Sequence, residues 1–369
     1  MSPEVIFFLL FLVFILGMLA LDLGVFDKHS HEVRVREALI WTTIWVALAL
    51  CFYLLIMFKG DLIHGIKTIE ELRGVIAKFH HPIHITTNDF EEALTIYRKN
   101  LSLEFITGYL IEYMLSVDNV FVMILIFISF GVQKMYYKRV LFWGILGAII
   151  MRFLFIFLSS AIIQRFDWVL YIFGAFLVFT GIKMFIERNK EEKIDTANHP
   201  VIRIASRYFR LYPNYFRGHF WFRNKKSNYK YYFTPLFAVL LVIEFTDVIF
   251  AVDSVPAIFS VTLDPYIVFF SNIFAILGLR SLFFVVSHFI SMFRFLKIGL
   301  SVLLSFIGLK MIFHIILEEW GFTTAHSLWI ILSILAVSIL ASVIWPEKEP
   351  DRDRAIKSLT GEKPTSASF

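Results

Sequence analysis

Acidic side chains recur inside stretches of this sequence that are otherwise apolar. An aspartate near the centre of a membrane helix costs about 2.5–3.5 kcal/mol on insertion scales, so such residues must face protein or water, hold a proton or share a cation. Their oxygens favour the hard divalent ions Mg²⁺, Ca²⁺ and Mn²⁺, and ligand chemistry alone leaves those three open. The candidate metal ligands are Asp22, Glu112, Asp118, Glu244, Asp247 and Asp253.

Helical spacing shows which oxygen ligands can lie side by side. At 100° per residue, Glu112, Ser116 and Asn119 lie on one face of a helix. Asp247 and Ser254 have the same seven-residue spacing as Glu112 and Asn119. Two helices can therefore each present a carboxylate and a neutral polar side chain to a shared site.

Asp118 and Asp253 point away from the other carboxylates if their helices are straight. We expect a break in each helix near these residues, which would bring both aspartates toward the shared site. Pro256 supplies a cause in the second helix, because it cannot donate a hydrogen bond to the carbonyl oxygen of Val252. A carbonyl group released in this way can line a cavity at membrane depth.

Two segments of the chain repeat one pattern. Residues 112–120 (EYMLSVDNV) and 247–255 (DVIFAVDSV) each hold a carboxylate, an aspartate six residues later, then Asn or Ser, and Val. Each segment precedes a helix with one arginine in its apolar run, and each unit ends with Gly-x-Lys-Met. The arginines are Arg152 and Arg280, and the closing motifs begin at Gly181 and Gly308. The chain therefore contains two related three-helix units.

The composition indicates an all-α polytopic membrane protein. Hydrophobic residues make up 58% of the 369 residues, and phenylalanine alone contributes 43. The one cysteine, Cys51, excludes an internal disulfide and a cysteine-based metal site. At about 20 apolar residues per span, we predict about nine transmembrane helices. They lie near residues 4–25, 38–58, 101–130, 139–160, 166–186, 232–261, 266–290, 295–316 and 324–345.

Loop charges predict the orientation. Alternate loops hold most of the lysines and arginines, so the positive-inside rule places the N-terminus outside and the C-terminus in the cytoplasm. The third and sixth spans then enter the membrane from opposite sides, and the two three-helix units are inverted relative to each other. Inverted repeats with interrupted helices and a midplane site are typical of secondary transporters.

The chain divides into seven predicted parts. They are two N-terminal transmembrane helices (1–58), an external loop (59–100), the first three-helix repeat (101–186), a basic aromatic cytoplasmic loop (187–231), the second repeat (232–316), a last transmembrane helix (317–345) and a disordered cytoplasmic tail (346–369). We expect the cytoplasmic loop to lie against anionic headgroups rather than nucleic acid. The external loop holds four histidines, expected to be ordinary solvent-exposed side chains, with metal gathering as the alternative: His64, His80, His81 and His84.

Ion pairing is the alternative role for the acids. Arg152 and Arg280 can each pair with a carboxylate and hold helices together. Because the acids outnumber these arginines, we expect the arginines to balance charge when no cation is bound. Clustered carboxylates also retain protons more readily, which makes exchange of metal for protons a reasonable hypothesis.

These motifs resemble the TerC/Alx family of bacterial membrane proteins. The resemblance is carried by residues 234–284, by EYMLSVDNVFV at 112–122 and by ALDLGVF at 20–26. It implies an inner-membrane protein of metal homeostasis, particularly manganese export, with tellurium resistance by name, in a lysine-exporter-like transporter grouping. Family members are also linked to the maturation of secreted or membrane proteins. The resemblance implies the six acids above as the site, with Asn119 and Ser254 in matching polar positions.

We therefore expect a divalent-metal exporter, with manganese implied by the resemblance and inward protons as the driving ion. Two alternatives stay open: export of another solute, such as an amino acid or an oxyanion of tellurium, and a non-transport membrane factor that assists insertion or metal loading of exported proteins. We expect no enzymatic activity, since we find no nucleophile–base pair or phosphate loop, and no resident cofactor. The expected partners are the bilayer, the divalent ion and protons, and the oligomeric state stays open.

Overall fold

The computed structural model describes residues 3–22, 35–166, 168–188, 200–212, 216, 218–223, 231–289 and 295–345. Helices form most of this part of the chain. In chain order the elements are α1 (Pro3–Asp22), α2 (Val35–Lys59), α3 (Asp61–His64), α4 (Ile69–Phe79), α5 (Phe90–Ser129), α6 (Lys134–Ile163), α7 (Trp168–Glu187), α8 (Pro200–Tyr208), β1 (Trp221–Arg223), β2 (Tyr231–Phe233), α9 (Pro235–Phe259), α10 (Pro265–Phe289), α11 (Leu296–Ile312), α12 (His314–Glu319) and α13 (Thr324–Ile344).

Eight helices in the described ranges are long and apolar enough to cross a membrane: α1, α2, α5, α6, α7, α9, α10 and α13. The predicted all-α polytopic fold class is confirmed. α11 has 17 residues and lies where the eighth span is predicted. The count of nine spans stays a prediction.

α10 lies at the centre of the bundle. It packs against α2, α5 and α6, and 94% of its apolar window is buried, against 17% for α1 and for α2. Rings from α1 and α2 enclose it: Phe11 lies 4.4 Å from Phe270 and Phe52 lies 5.0 Å from Phe274, between ring centroids. The two N-terminal helices therefore turn most of their surface to lipid and cover one side of α10.

Helices of the two predicted repeats pack in matching pairs. α5 packs against α10 as α9 packs against α6, and α7 packs against α11. A Cβ on Gly181 would meet Ser301 and Ser305, and a Cβ on Gly308 would meet Gly174 and Val178, all within 3 Å. Ser301 precedes Gly308 by the same seven residues that separate Gly174 from Gly181. Two copies related by a two-fold axis would pack in this way, although the repeat itself stays a prediction.

The predicted helix breaks are wrong. α5 runs unbroken from residue 90 to 129 through Asp118, and it contains no proline. α9 continues through Asp253 and Pro256 to Phe259. Because Pro256 lies in the last turn of α9, its missing N–H removes a hydrogen bond only where the helix is ending.

The predicted external loop is largely helical. α5 begins at Phe90 rather than at 101, where the Asp89 carboxylate accepts hydrogen bonds from the N–H groups of Glu91 and Glu92. Its 40 residues span about 60 Å, about twice the thickness of the hydrocarbon layer. α3 contacts α1 and α4 contacts α5, so both short helices fold over one end of the bundle.

The predicted cytoplasmic loop is described only in part. α8 packs against α9, and the strands β1 and β2 form an antiparallel pair in which Trp221 is opposite Phe233. Residues 189–199, 213–215, 217 and 224–230 of that loop and the predicted tail at 346–369 lie outside the described residues.

Candidate functional site

Arg152 lies between carboxylates from the two repeated segments. Its Nη1 donates a hydrogen bond to Glu112 Oε1 and another, 3.0 Å long, to Ser254 Oγ. Its Nη2 donates to Asp247 Oδ1 across 3.4 Å. All four residues are buried, with at most 3% of any of them exposed. We call Glu112, Arg152, Asp247 and Ser254 the central cluster.

Three helices place the central cluster. Glu112 comes from α5, Arg152 from α6, and both Asp247 and Ser254 from α9. The seven-residue spacing puts Asp247 and Ser254 on one face of α9, where both contact the same guanidinium group. Since removing one partner of a buried ion pair costs about 3–5 kcal/mol, the pairing holds the three helices in register.

Several buried atoms at or near the central cluster have no hydrogen-bond partner among the described residues. They are Glu112 Oε2, Ser116 Oγ, Asn119 Nδ2, Arg152 Nε and Asp247 Oδ2. Buried polar groups in native proteins are nearly always hydrogen-bonded, so a group of unsatisfied ones marks a place for a further ligand. Three of these five atoms are oxygens, two of them on carboxylates, which is a donor set for a cation.

Charge in the central cluster is unbalanced when both carboxylates are ionised. Glu112 and Asp247 then carry two negative charges against the single positive charge of Arg152. A net charge in buried surroundings costs several kcal/mol. A proton on one carboxylate removes the imbalance while Arg152 is in place, whereas a divalent cation removes it only if the guanidinium moves away.

The structure does not gather all six predicted acids. Because α5 is continuous, Asp118 lies about 120° around the helix from Glu112 and is half-buried. Asp253 faces α7, where it accepts a hydrogen bond from Thr180 Oγ1 across 3.3 Å. Asp22 is the last residue of α1, and its side chain lies outside the described part of the structure.

Glu244 lies one turn before Asp247 on α9 and packs against α6. A Cβ on Gly147 would sit 2.1–2.3 Å from three carboxyl atoms of Glu244, so only glycine leaves room for this side chain. Glu244 therefore borders the central cluster on its α6 side. The second predicted arginine, Arg280, is buried in α10.

No three His, Cys, Asp or Glu side chains within the described ranges come close enough together to hold a metal ion. The central cluster holds two such side chains, Glu112 and Asp247, and the guanidinium of Arg152 stands between them. The predicted charge-balancing role therefore has a geometric basis for Arg152, while the metal-ligand roles of the six acids stay predictions.

Two of the histidines expected to be solvent-exposed are buried instead. His64 has Nδ1 3.2 Å from Glu4 Oε1 and Nε2 2.9 Å from Asp264 Oδ2. His81 Nδ1 lies 2.9 and 3.0 Å from the two carboxylate oxygens of Glu104. The expectation is wrong for this pair because α3 and α4 fold over the ends of α1 and α5 and enclose both rings.

We call His64, His81, Glu104 and Asp264 the histidine cluster. Thr262 Oγ1 donates to Glu104 Oε2 across 2.6 Å, and Asn100 Nδ2 donates to Glu104 Oε1 across 2.6 Å. The remaining two loop histidines, His80 and His84, are exposed as expected. The cluster thus joins segment 60–89, α5 and the turn between α9 and α10.

Charge pairing controls protonation in the histidine cluster. Burial by itself lowers the pKa of His64, but the carboxylates of Asp264 and Glu4 outweigh it and raise that pKa to about 9. Burial likewise lowers the pKa of His81, but the carboxylate of Glu104 outweighs burial, so this pKa lies above its usual value. Burial raises the pKa of Asp264, yet His64 and His81 together bring it below its usual range. At neutral pH the His64 ring is therefore a cation held between two carboxylates.

Sequence patterns indicate little of the surroundings of these sites. Thr180 and Gly147 carry no local signal, since their roles depend on which helices are neighbours. Asp264 carries a weak one: it precedes Pro265 at the start of a span, and its Oδ1 accepts a hydrogen bond from the Tyr266 N–H as an N-cap residue.

Comparisons with known proteins agree with a membrane protein. The model of the family described as "Integral membrane protein TerC family" matches residues 97–350. An uncharacterized membrane protein of Myxococcus xanthus is 42% identical over 343 residues, which cover 93% of each chain. An Escherichia coli K12 protein, named as a membrane-bound redox modulator, Alx, is 37% identical over 350 residues, or 93% of this chain and 96% of its own. No solved structure matches the chain.

Proposed function

Because this chain belongs to the TerC family of integral membrane proteins, we propose that it is a transporter that exports a divalent metal ion. The observation that carries the proposal is the bridging of Glu112 and Asp247 by Arg152, with unsatisfied carboxylate oxygens beside it. In this proposal the guanidinium stands where the substrate cation binds. The carboxylates come from the two predicted repeats, so the site lies where alternating access requires one.

Charge balance connects cation binding with protons. With Arg152 in place and one proton bound, the central cluster is neutral. With a divalent cation between ionised Glu112 and Asp247 and the guanidinium withdrawn, it is neutral again. Each cation bound therefore displaces Arg152 and about one proton, and Glu244, against α6, offers the displaced guanidinium a carboxylate.

Neutral oxygens complete the proposed ligand set. Ser116 and Asn119 are buried one and two turns after Glu112 on the same face of α5, and Ser254 accepts a hydrogen bond from Arg152. Oxygen ligation suits Mg²⁺, Ca²⁺ or Mn²⁺. Manganese is proposed on the family resemblance. Asp118 and Asp253 lie on other faces of α5 and α9 and serve in this proposal as acids along the route. We place the chain in a bacterial inner membrane with its N-terminus outside.

The test is ion uptake into liposomes that hold the purified protein. We expect Mn²⁺ uptake that grows with an opposing pH gradient, and no uptake of tellurite. Glu112→Gln and Asp247→Asn should each lower Mn²⁺ uptake about tenfold or more, because each removes a charged ligand. Glu91→Gln, at an exposed acid in the first turn of α5, is the control and should match the unaltered protein. Full Mn²⁺ uptake by Asp247→Asn would overturn the proposed site.

The name of the E. coli relative suggests a redox role instead. A thiol–disulfide exchange within one chain needs two cysteines, and this sequence has one. Cys51 is also exposed on α2, among residues that face lipid. We therefore propose cation transport rather than thiol chemistry.

A further inference from the structure

The histidine cluster leaves a ring nitrogen available for protonation. Nε2 of His81 and the hydroxyl oxygen of Tyr97 are buried and have no hydrogen-bond partner among the described residues. The two rings stand edge to face with centroids 5.6 Å apart. Because Nδ1 of His81 is fixed on Glu104, Nε2 is the atom at which the ring can gain or lose a proton.

The histidine cluster and the central cluster are joined by two neighbouring helices. Glu104 and Glu112 are both on α5, about 12 Å apart along its axis. α10 runs beside α5 in the same direction, since its Ser271 would touch a Cβ on Gly108 and its Gly278 lies beside Tyr113. The first turns of α10 therefore pass from one cluster toward the other.

Asn272 lies on α10 between the levels of the two clusters. Both atoms of its amide group are buried and have no hydrogen-bond partner in the described ranges. Its neighbour Ser271 faces α5, and Phe269 packs on Phe153 and Phe157 of α6. At 100° per residue, Asn272 lies between those two faces. Its amide group therefore faces the gap between α5 and α6, where a water molecule would satisfy it.

We propose that the histidine cluster takes up the protons that the transporter exchanges for its cation, and that Asn272 holds water on the path to the central cluster. This inference rests on the proposed cation export and adds the route of the counter-ion. His81 Nε2 binds a proton arriving from the end of the bundle that is outside in the predicted topology. The proton passes by way of Asn272 toward the central cluster as the cation leaves it.

The charged groups around His81 fit this role. Within the cluster they are His64, Glu104 and Asp264. Beside it are Glu4 of α1 and Lys78 of α4, whose Nζ lies 3.8 Å from Glu4 Oε1. His64 stays a cation because Asp264 and Glu4 hold it. Of the two histidines in the cluster, His81 beside Glu104 is then the one that can gain or lose a proton. Burial disfavours that charge but Glu104 outweighs it, so the pKa of His81 lies above its usual value and the ring loads a proton readily.

Two transport modes separate proton coupling from cation binding. In liposomes holding the full chain, uptake of Mn²⁺ driven by a pH gradient needs both, whereas exchange of radioactive for unlabelled Mn²⁺ at equal pH needs cation binding alone. We expect His81→Asn, which keeps a donor toward Glu104 but cannot titrate, to lower gradient-driven uptake about tenfold and to leave exchange within about twofold. Asn272→Leu should behave in the same way.

The controls make each outcome decisive. His84→Asn changes an exposed histidine in the same loop and should keep both modes. Should His81→Asn fail to reach the membrane, Glu104→Gln alters the same pair and carries the same expectation. Gradient-driven uptake that persists in the variants, or exchange that falls in parallel with it, overturns the proton site. Absence of both modes in the unaltered protein overturns the cation transporter itself.

Discussion

The guanidinium of Arg152 and a divalent cation compete, in our proposal, for the same two carboxylates. Substitution of this single, fully buried arginine tests the competition. Its removal has opposite effects on the protein alone and on the protein with its substrate.

Arg152→Met should lower stability by about 3–5 kcal/mol, because Glu112 and Asp247 lose their counter-charge in buried surroundings. Mn²⁺ should then stabilise the variant more than the unaltered protein, since it no longer displaces a guanidinium. Thermal unfolding in detergent, with and without Mn²⁺, measures both effects. Arg165→Met, at an exposed arginine after α6, should change neither. Equal Mn²⁺ shifts in the Arg152 variant and the unaltered protein would contradict the competition.

The spacing of residues predicts which members of the central cluster share a helix face, but not their partners on other helices. Spacing alone places Glu112, Ser116 and Asn119 on one face of α5, and all three are buried there. It also places Asp247 with Ser254. The partner of each carboxylate depends on which helices meet, which no single helix encodes. His81 shows the same limit: a polar loop sequence reads as exposed until α4 folds over it.

At the scale of elements, α7 and α11 depend on small residues at their contact. The Cβ of alanine at Gly181 would come within 2.5–2.9 Å of Ser301 and Ser305, and at Gly308 within 2.6–2.8 Å of Gly174 and Val178. Small residues let membrane helices approach closely, and lipid supplies no hydrophobic force to restore a lost contact.

Gly181→Ala and Gly308→Ala should each destabilise the protein by about 1–3 kcal/mol, as overpacking does. Their effects should be similar, because each glycine occupies the same place in its copy of the predicted repeat. Thermal unfolding in detergent measures this. Gly17→Ala, on a face of α1 with nothing within 4 Å, should be neutral. A large effect at one glycine and none at the other would count against the repeat.

The unbroken courses of α5 and α9 show where prediction of a helix break fails. A proline predicts a break only if the helix continues for several turns beyond it, and α9 ends three residues after Pro256. Both helices therefore keep Asp118 and Asp253 on faces away from the central cluster, and Asp253 finds a partner in Thr180.

For the whole molecule, His64 links α3 to α1 and to the turn before α10. Its pKa is raised from 6.5 to about 9, and a shift of this size is worth on the order of 3 kcal/mol. Because the folded state binds the proton more tightly, that stability is fully present below pH 6.5 and is lost as the pH rises through about 9.

We therefore expect the unfolding temperature in detergent to fall as the pH is raised from neutral through about 9. His64→Gln should lower the unfolding temperature at neutral pH and flatten this dependence, because glutamine cannot carry the charge. His84→Gln should follow the unaltered protein. A curve for His64→Gln with the same slope as that of the unaltered protein would show that other groups cause the fall.

The overall fold is the part that sequence predicts best. Long apolar runs fix the membrane class, because the bilayer requires helices of about 20 residues. The ends are less predictable: α5 extends to Phe90 because Asp89 caps it in polar sequence, beyond the apolar run. The folding of α3 and α4 over the bundle is a tertiary effect that hydropathy does not encode.

The enclosure of α10 also has a consequence for how the protein is made. A helix that is buried almost throughout, and that carries Ser271, Asn272 and Arg280, gains little by leaving the insertion machinery into lipid. It must pass directly onto helices already in place, and its neighbours α2, α5 and α6 all precede it in the chain. The order of synthesis therefore makes α2, α5 and α6 before α10, which packs among them.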